Sequence, residues 1–499
     1  MRQALTYLLS ASIGCSIAGA SWAESEYESW LKANRFDAQA AQQEFQDYMD
    51  ANDKEFVGFL KQQWKKVDLE QPIILDTTPK PTKLPILKPP AKAPETTPSK
   101  AKPTTKKPEP IVNVRPIKPS VPATPTPRPT PIAINPNEPM LTFEFLGRNI
   151  SMPKVTNKAL RFNKNPNSKS IAKHWESMAS QKHAHIIKAI QTHKINLNLN
   201  DWAVALLAFE YSKALGLNTD NTQQLFTWFL MVKSGYDVRL AYNSSAFILL
   251  PSEQALFGVT YFTLNHKKYY AVSFDNHKVD AGRAYTYSGT HDTATKNINF
   301  SGASNIKPSN AVRSKVLSFK LNGEQHKIDV NYDLAMVKFS NSFPQMNIEY
   351  YPQQGLPANT AQQLLKQLKP LVNGKTEVEA VNLILRFVQT SFAYQTDGKQ
   401  FNKENYLLPI ETLHYPYSDC EDRASLFSWL VEDLLGLDAV LLDYPGHIAA
   451  AVKFTKTPKG DMVYHKGNTY TVTDPTYINA SVGMAMPQFK DLRPNILNF

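Results

Sequence analysis

Twenty of the chain's thirty-five prolines fall between Gln71 and Pro139, and no other feature limits the fold so severely. Proline has no amide N–H and a fixed φ. A run such as Thr124-Pro125-Thr126-Pro127-Arg128-Pro129 therefore cannot enter a helix interior or a central strand. Residues 71–139 read as an extended, polyproline-like, disordered linker without a core of its own. Eleven Lys and Arg against four Asp and Glu leave this stretch at +7, most of the chain's +11. That charge suits an anionic cell wall or membrane surface, and equally keeps a spacer soluble by self-repulsion. Nucleic acid is not the expected partner, because the N-terminus reads as an export signal.

Arg2 precedes an apolar run from Ala4 to Ala20, and Ser21-Trp22-Ala23 supplies small residues where a signal peptidase reads. Residues 1–23 are thus expected to be a signal peptide, with the mature chain in the periplasm or beyond, in the bacterial cell envelope. Ile13-Gly14-Cys15 also permits a lipid-anchor reading, against which stands Ser12 in place of a leucine-like residue. No later apolar run is long enough to span a bilayer. Between Glu24 and Glu70, Phe45, Tyr48, Asn52, Phe56, Phe59 and Gln63 recur at three- and four-residue steps, and Leu60 and Trp64 widen the stripe. This predicts an amphipathic helical segment over 24–70.

Beyond the prolines the chain repeats itself. Gln224-Leu225-Phe226-Thr227-Trp228 leads to Gly235-Tyr236-Asp237-Val238-Arg239-Leu240. Ser425-Leu426-Phe427-Ser428-Trp429 leads likewise to Gly436-Leu437-Asp438-Ala439-Val440-Leu441. Upstream, Leu141-Thr142-Phe143-Glu144-Phe145-Leu146-Gly147 echoes Leu317-Ser318-Phe319-Lys320-Leu321-Asn322-Gly323, and the helical segments 201–215 and 377–390 correspond. Two copies of one α/β unit are expected, over 140–305 and 312–499.

Only the second copy carries a chemical constellation. Cys420 is the one cysteine that remains once residues 1–23 are removed, so an intramolecular disulfide is excluded. Ser418 and Asp419 are good N-cap residues ahead of an apolar helical run, which puts Cys420 in a first helical turn. The macrodipole there favours a thiolate. His447 follows Tyr444-Pro445-Gly446 and opens a strand-like run, and Asp474 closes another before Pro475-Thr476. A thiol, an imidazole and a carboxylate in that context supply a nucleophile, a base and an orienting group.

Asp419-Cys420-Glu421-Asp422-Arg423-Ala424, Gly446-His447 and Asp474-Pro475-Thr476 together resemble the core of the transglutaminase-like superfamily, circularly rearranged relatives of papain. The resemblance spans 376–483 and keeps the family's motif order, with Ser418 where many members have Gly. It implies a papain-like α+β fold in which Cys420 is the nucleophile, His447 the general base and acid, and Asp474 the third member. For the oxyanion the backbone N–H of Cys420 is one expected donor, with Tyr417 and His414 as side-chain candidates. Asp422 and Arg423 are expected to pair or to cap near the site rather than to join the chemistry.

Copy one lacks this set, with Thr219 opposite Cys420, Ala246 opposite His447, and Phe274 or Asp275 opposite Asp474. It reads as a degenerate unit. His174, His183, His185 and His193 crowd one stretch but not one helix face, so no metal site is assigned. No Gly-rich phosphate loop suggests a cofactor. Two functions remain: an exported cysteine enzyme acting on peptide or isopeptide amides by hydrolysis or acyl transfer, or a non-catalytic envelope scaffold that holds a partner peptide in the same cleft.

Overall fold

The computed structural model describes residues 51–87 and 138–499, except residues 63, 77, 156, 157, 182, 273, 275–277 and 322. The expected signal peptide lies outside the described residues. The chain divides into a unit of residues 1–55, whose described residues 51–55 are helical, and a unit of residues 56–499.

The expected helix over 24–70 is corrected at its end. Helical structure stops at residue 62, and Trp64–Leu69 is a strand, β1. Trp64 and Val67 still keep a three-residue step, but Val67 and Leu69 are two apart, as along one face of a strand. β1 pairs antiparallel with Gly282–Tyr287 from Trp64 opposite Tyr287 to Leu69 opposite Gly282. Trp64 packs on Tyr287 and Tyr242 at ring-centroid distances of 5.4 and 5.0 Å.

The first half begins with the hairpin β2 (Met140–Phe145) and β3 (Arg148–Pro153). Helices Ser168–Ala179, Ala184–Leu197, Asp201–Ala214 and Asp220–Lys233 follow. A sheet of β4 (Arg239–Tyr242), β5 (Ala246–Pro251), β6 (Tyr261–Leu264), β7 (Lys267–Val272) and β8 (Gly282–Tyr287) comes next. With β1 its order is β1-β8-β4-β5-β7-β6. The second half opens with another hairpin, β9 (Val312–Leu321) and β10 (Glu324–Asp333). Helices Ala358–Val372 and Glu377–Ser391 pack on it. Two short parallel strands, β11 (Ala393–Tyr394) and β12 (Tyr417–Ser418), precede the helix Cys420–Leu430. The second sheet comprises β13 (Ala439–Tyr444), β14 (His447–Val452), β15 (Met462–His465), β16 (Asn468–Thr473) and β17 (Asn495–Leu497), ordered β15-β16-β14-β13-β17.

The fold is thus mixed helix and sheet, as expected. One core runs through both halves, from Trp175 and Trp228 to Phe387 and Phe427. The linker expectation is corrected over its first part. Gly258 donates its N–H to the Ile73 carbonyl at 2.7 Å, and Ile86 bridges Ile478. Residues 71–87, residue 77 aside, therefore lie on the body. The rest of the proline-rich stretch, to residue 137, falls outside the described residues.

Candidate functional site

Cys420 opens its helix as the sequence predicts, behind the N-cap Asp419, and the backbone N–H of Asp419 donates to Asp422 Oδ2 at 3.2 Å. This helix is central to the second half. Every residue from Cys420 to Leu430 except Trp429 is buried, so its charged side chains need partners inside, while the hydroxyls of Ser425 and Ser428 are left without one. Arg423 finds its partners without an ion pair to Asp422. Its Nε donates to Ser418 Oγ at 3.1 Å, and its terminal nitrogens donate to the Gln389 and Phe392 carbonyls at 3.3 and 2.8 Å. Ser418 is therefore an acceptor for the buried guanidinium. Asp422 Oδ1 accepts from the Leu407 N–H at 2.9 Å.

His447 is positioned by a tight hairpin. Tyr444 pairs with His447 across Pro445 and Gly446, and Gly446 takes φ of +69°, a conformation that strains side-chain-bearing L residues. β14 carries His447 and packs against the helix that Cys420 begins. The imidazole is buried and stacks on Phe489 at a centroid distance of 4.8 Å and 11°. Asp474 stands one residue past β16, the neighbour of β14. Its Oδ1 accepts from the N–H groups of Thr476 and Tyr477 at 2.8 and 3.2 Å. Its Oδ2 meets His447 Nε2 at 2.9 Å. Buried Nδ1 of His447 is left without a hydrogen-bond partner, and is the ring atom open to an incoming proton. Gln389 Nε2 holds the following loop, donating to the carbonyls of Asp474, Tyr477 and Ala480 at 3.1, 2.7 and 3.1 Å.

The thiol departs from expectation. Cys420 is 1% exposed, and its Sγ donates to Glu421 Oε2 at 3.0 Å. Burial, then the Glu421 carboxylate, raises the thiol well above its ordinary pKa, against the smaller pull of Lys80. The helix N-terminus favours a thiolate, but desolvation and an adjacent negative charge outweigh it.

Sequence reasoning missed the group that surrounds this thiol. Asp397, Glu404, Asp419 and Glu421 each bring a carboxylate oxygen within 4.8 Å of the others, an oxygen set that suits a hard cation. The ammonium of Lys80, from the proline-rich stretch, sits among them. It lies 3.0 Å from Asp419 and 3.9 Å from Asp397, and is also bonded to Glu421 and Glu404. Burial raises Asp397 to about 9 and Glu404 to about 7, helped by neighbouring carboxylates. Burial opposes ionisation of Glu421 as well, but Lys80 prevails and holds it at about 2. Lys80 and the ionised Glu421 thus form the charge pair at the centre of the cluster. Asp419, Glu421 and Asp422 show in the sequence as an acidic motif; nothing there signals that residue 80 returns to meet residue 421.

The oxyanion candidates divide. His414 Nδ1 is engaged by the Tyr332 hydroxyl at 3.0 Å, and Tyr417 is 38% exposed. Tyr394 pairs with Ser418, two residues before Cys420; burial above all raises its hydroxyl pKa, and that hydroxyl donates to the Pro81 carbonyl at 2.6 Å. The four crowded histidines have separate surroundings. His174 is buried against Phe162, and burial lowers it to about 4. His183 meets the Gln181 carbonyl, His185 meets Glu138, and His193 meets the Ser151 carbonyl.

In the first half the helix Asp220–Lys233 has Thr219 as its N-cap, so Thr219 shares the capping position of Asp419 and Asp220 that of Cys420. Ala246 opens β5 as His447 opens β14. No family model, no curated protein and no solved structure matches the chain.

Proposed function

We propose that the protein is an exported, transglutaminase-like cysteine enzyme acting on peptide or isopeptide amide bonds through Cys420, His447 and Asp474. The observation that carries this reading is the His447–Asp474 bond at 2.9 Å, with Nδ1 of His447 left unpartnered. Held this way, His447 takes the thiol proton at Nδ1 while Asp474 steadies the imidazolium. The sulfur attacks the carbonyl carbon, and the carbonyl oxygen becomes an oxyanion. The C–N bond then breaks, the proton passes from His447 to the leaving amine, and a thioester remains. Water or a second amine resolves it, releasing acid or a new amide and returning the thiol. The Cys420 N–H and the Tyr394 hydroxyl are the groups we assign to the oxyanion.

Sheet order supports a duplicated unit: β4-β5-β7-β6 and β13-β14-β16-β15 follow the same sequence, each after a hairpin and helices. The first unit, with Thr219, Asp220 and Ala246, would be non-catalytic. Among the described residues no helix is long and apolar enough to cross a membrane. The basic proline-rich stretch would face an anionic envelope surface.

The raised pKa and burial of Cys420 favour a second reading, a scaffold that holds a partner peptide. An intact-mass screen of full-length protein against cell-wall peptides and glutamine-containing proteins separates them. The enzyme reading expects mass changes of hydrolysis, deamidation or amine transfer that vanish in Cys420→Ala. Bound but unchanged peptides would overturn it in favour of the scaffold.

A further inference from the structure

Residues 76–87, residue 77 aside, run past all three candidate catalytic residues. The Asp76 carboxylate accepts from Thr78 N–H and Oγ at 2.9 and 2.6 Å; these bonds above all, and to a smaller degree the nearby N–H of Gly446, next to His447, hold its carboxyl below the usual range. A Cβ built on Gly446 would stand 2.9 Å from the Pro79 carbonyl oxygen and 3.1 Å from Thr78 Cγ2. Lys80 enters the carboxylate cluster on either side of Cys420, and Tyr394 holds the Pro81 carbonyl. Leu87 then donates to the Ile478 carbonyl at 2.9 Å and Ile478 donates to Pro85 at 3.0 Å, in the loop after Asp474.

We infer that the cleft over Cys420 is a binding site for an extended peptide carrying a lysine, and that residues 76–87 fill it in cis as a pseudosubstrate. The inference rests on the proposed function and names its substrate class. Four observations converge on it. The strap offers backbone carbonyls to the cleft, as a substrate peptide would. Pro79 and Pro81 hold it extended and leave no N–H to satisfy. Its Lys80, with a side chain only 10% exposed, meets a cluster whose Asp419 and Glu421 are fully buried. When the strap departs, Glu421 must either take up a proton or meet another cation, and a ligand carrying an ammonium is the replacement that keeps it ionised. Attachment at β1 on one side keeps the strap at high effective concentration, which makes it a strong competitor.

The test uses full-length protein and a fluorescent synthetic peptide of residues 74–87, with and without a Lys80→Ala change. Affinities are read by anisotropy. The lysine peptide should bind Lys80→Ala protein about tenfold or more tightly than wild type, and the alanine peptide should bind the same variant about tenfold more weakly. Equal affinity for both proteins, or for both peptides, would overturn the inference. Should Lys80→Ala fail to fold, Asp76→Ala, a largely exposed change that loosens the strap, serves with the same expectations. These affinities are read without turnover, so an inactive Cys420 would sink the enzyme reading and leave them standing. Cys420-dependent turnover with no lysine-dependent peptide binding would sink this inference alone.

Discussion

At the scale of single residues, the candidate site sets a helix-terminal preference for thiolate against burial, and burial prevails at Cys420. On the proposed mechanism proton transfer to His447 is the step that makes a nucleophile, so the three residues should act as a unit. Cys420→Ala and His447→Ala should each abolish amide turnover, and Asp474→Ala should leave a measurable remainder, because it orients the ring without reacting. The double variants should lose no more than the worst single one, as steady-state rates would show. Glu411 supplies an independent pH test. Burial lifts its carboxyl from 4.5 to about 8, partly offset by the Leu408 N–H it accepts. The protonated form is favoured by the fold, so its contribution is full below about pH 4.5 and is lost as pH rises through about 8. Thermal unfolding should show Glu411→Gln melting a few degrees above wild type at pH near 9 and level with it near pH 5. A difference that does not change with pH would refute this.

At the scale of elements, the helix Cys420–Leu430 is unusual in burying charge on nearly every side. Arg423 makes that tolerable by tying Ser418, Gln389 and Phe392 together. Burial lowers the guanidinium to about 10, still protonated at neutral pH. Arg423→Met keeps the volume but strands two carbonyls and one hydroxyl. It should cost about 2–4 kcal/mol in urea unfolding. A loss under about 0.5 kcal/mol would mean that water replaces the guanidinium. The same element shows what the sequence makes legible. Asp419 as cap, Cys420 in the first turn and Gly436 at φ +71° at the end follow from local rules. The π-turn at Val431–Leu435, which packs on the helix Glu377–Ser391, does not, because no residue pattern along the chain signals it.

At the scale of the molecule, β1 joins the edge of the first sheet and the strap crosses the second half. A chain beginning near Pro139 would lose both, exposing β8 and the carboxylate cluster. Proteolytic nicking between residues 88 and 137 should therefore give two fragments that co-elute in size-exclusion chromatography. A fragment 139–499 expressed alone should melt well below the nicked complex. Equal melting temperatures would show that residues before 139 add nothing to the stability of the body.

The sequence alone determined the start of the Cys420 helix, the strand that His447 opens and the strand that ends before Asp474, because caps and apolar periods act over a few residues. It also determined the mixed helix-and-sheet class. Trp64–Leu69 read as helix because a short strand's side chains can satisfy a helical period until a partner strand claims its N–H groups. The thiol's protonation was hidden for a related reason: desolvation is a property of everything packed around a group, not of its neighbours in sequence. Hidden most deeply was Lys80. Its composition predicts a solvated spacer, and only the tertiary structure supplies the four carboxylates, more than 300 positions along the chain, that make burying its ammonium favourable.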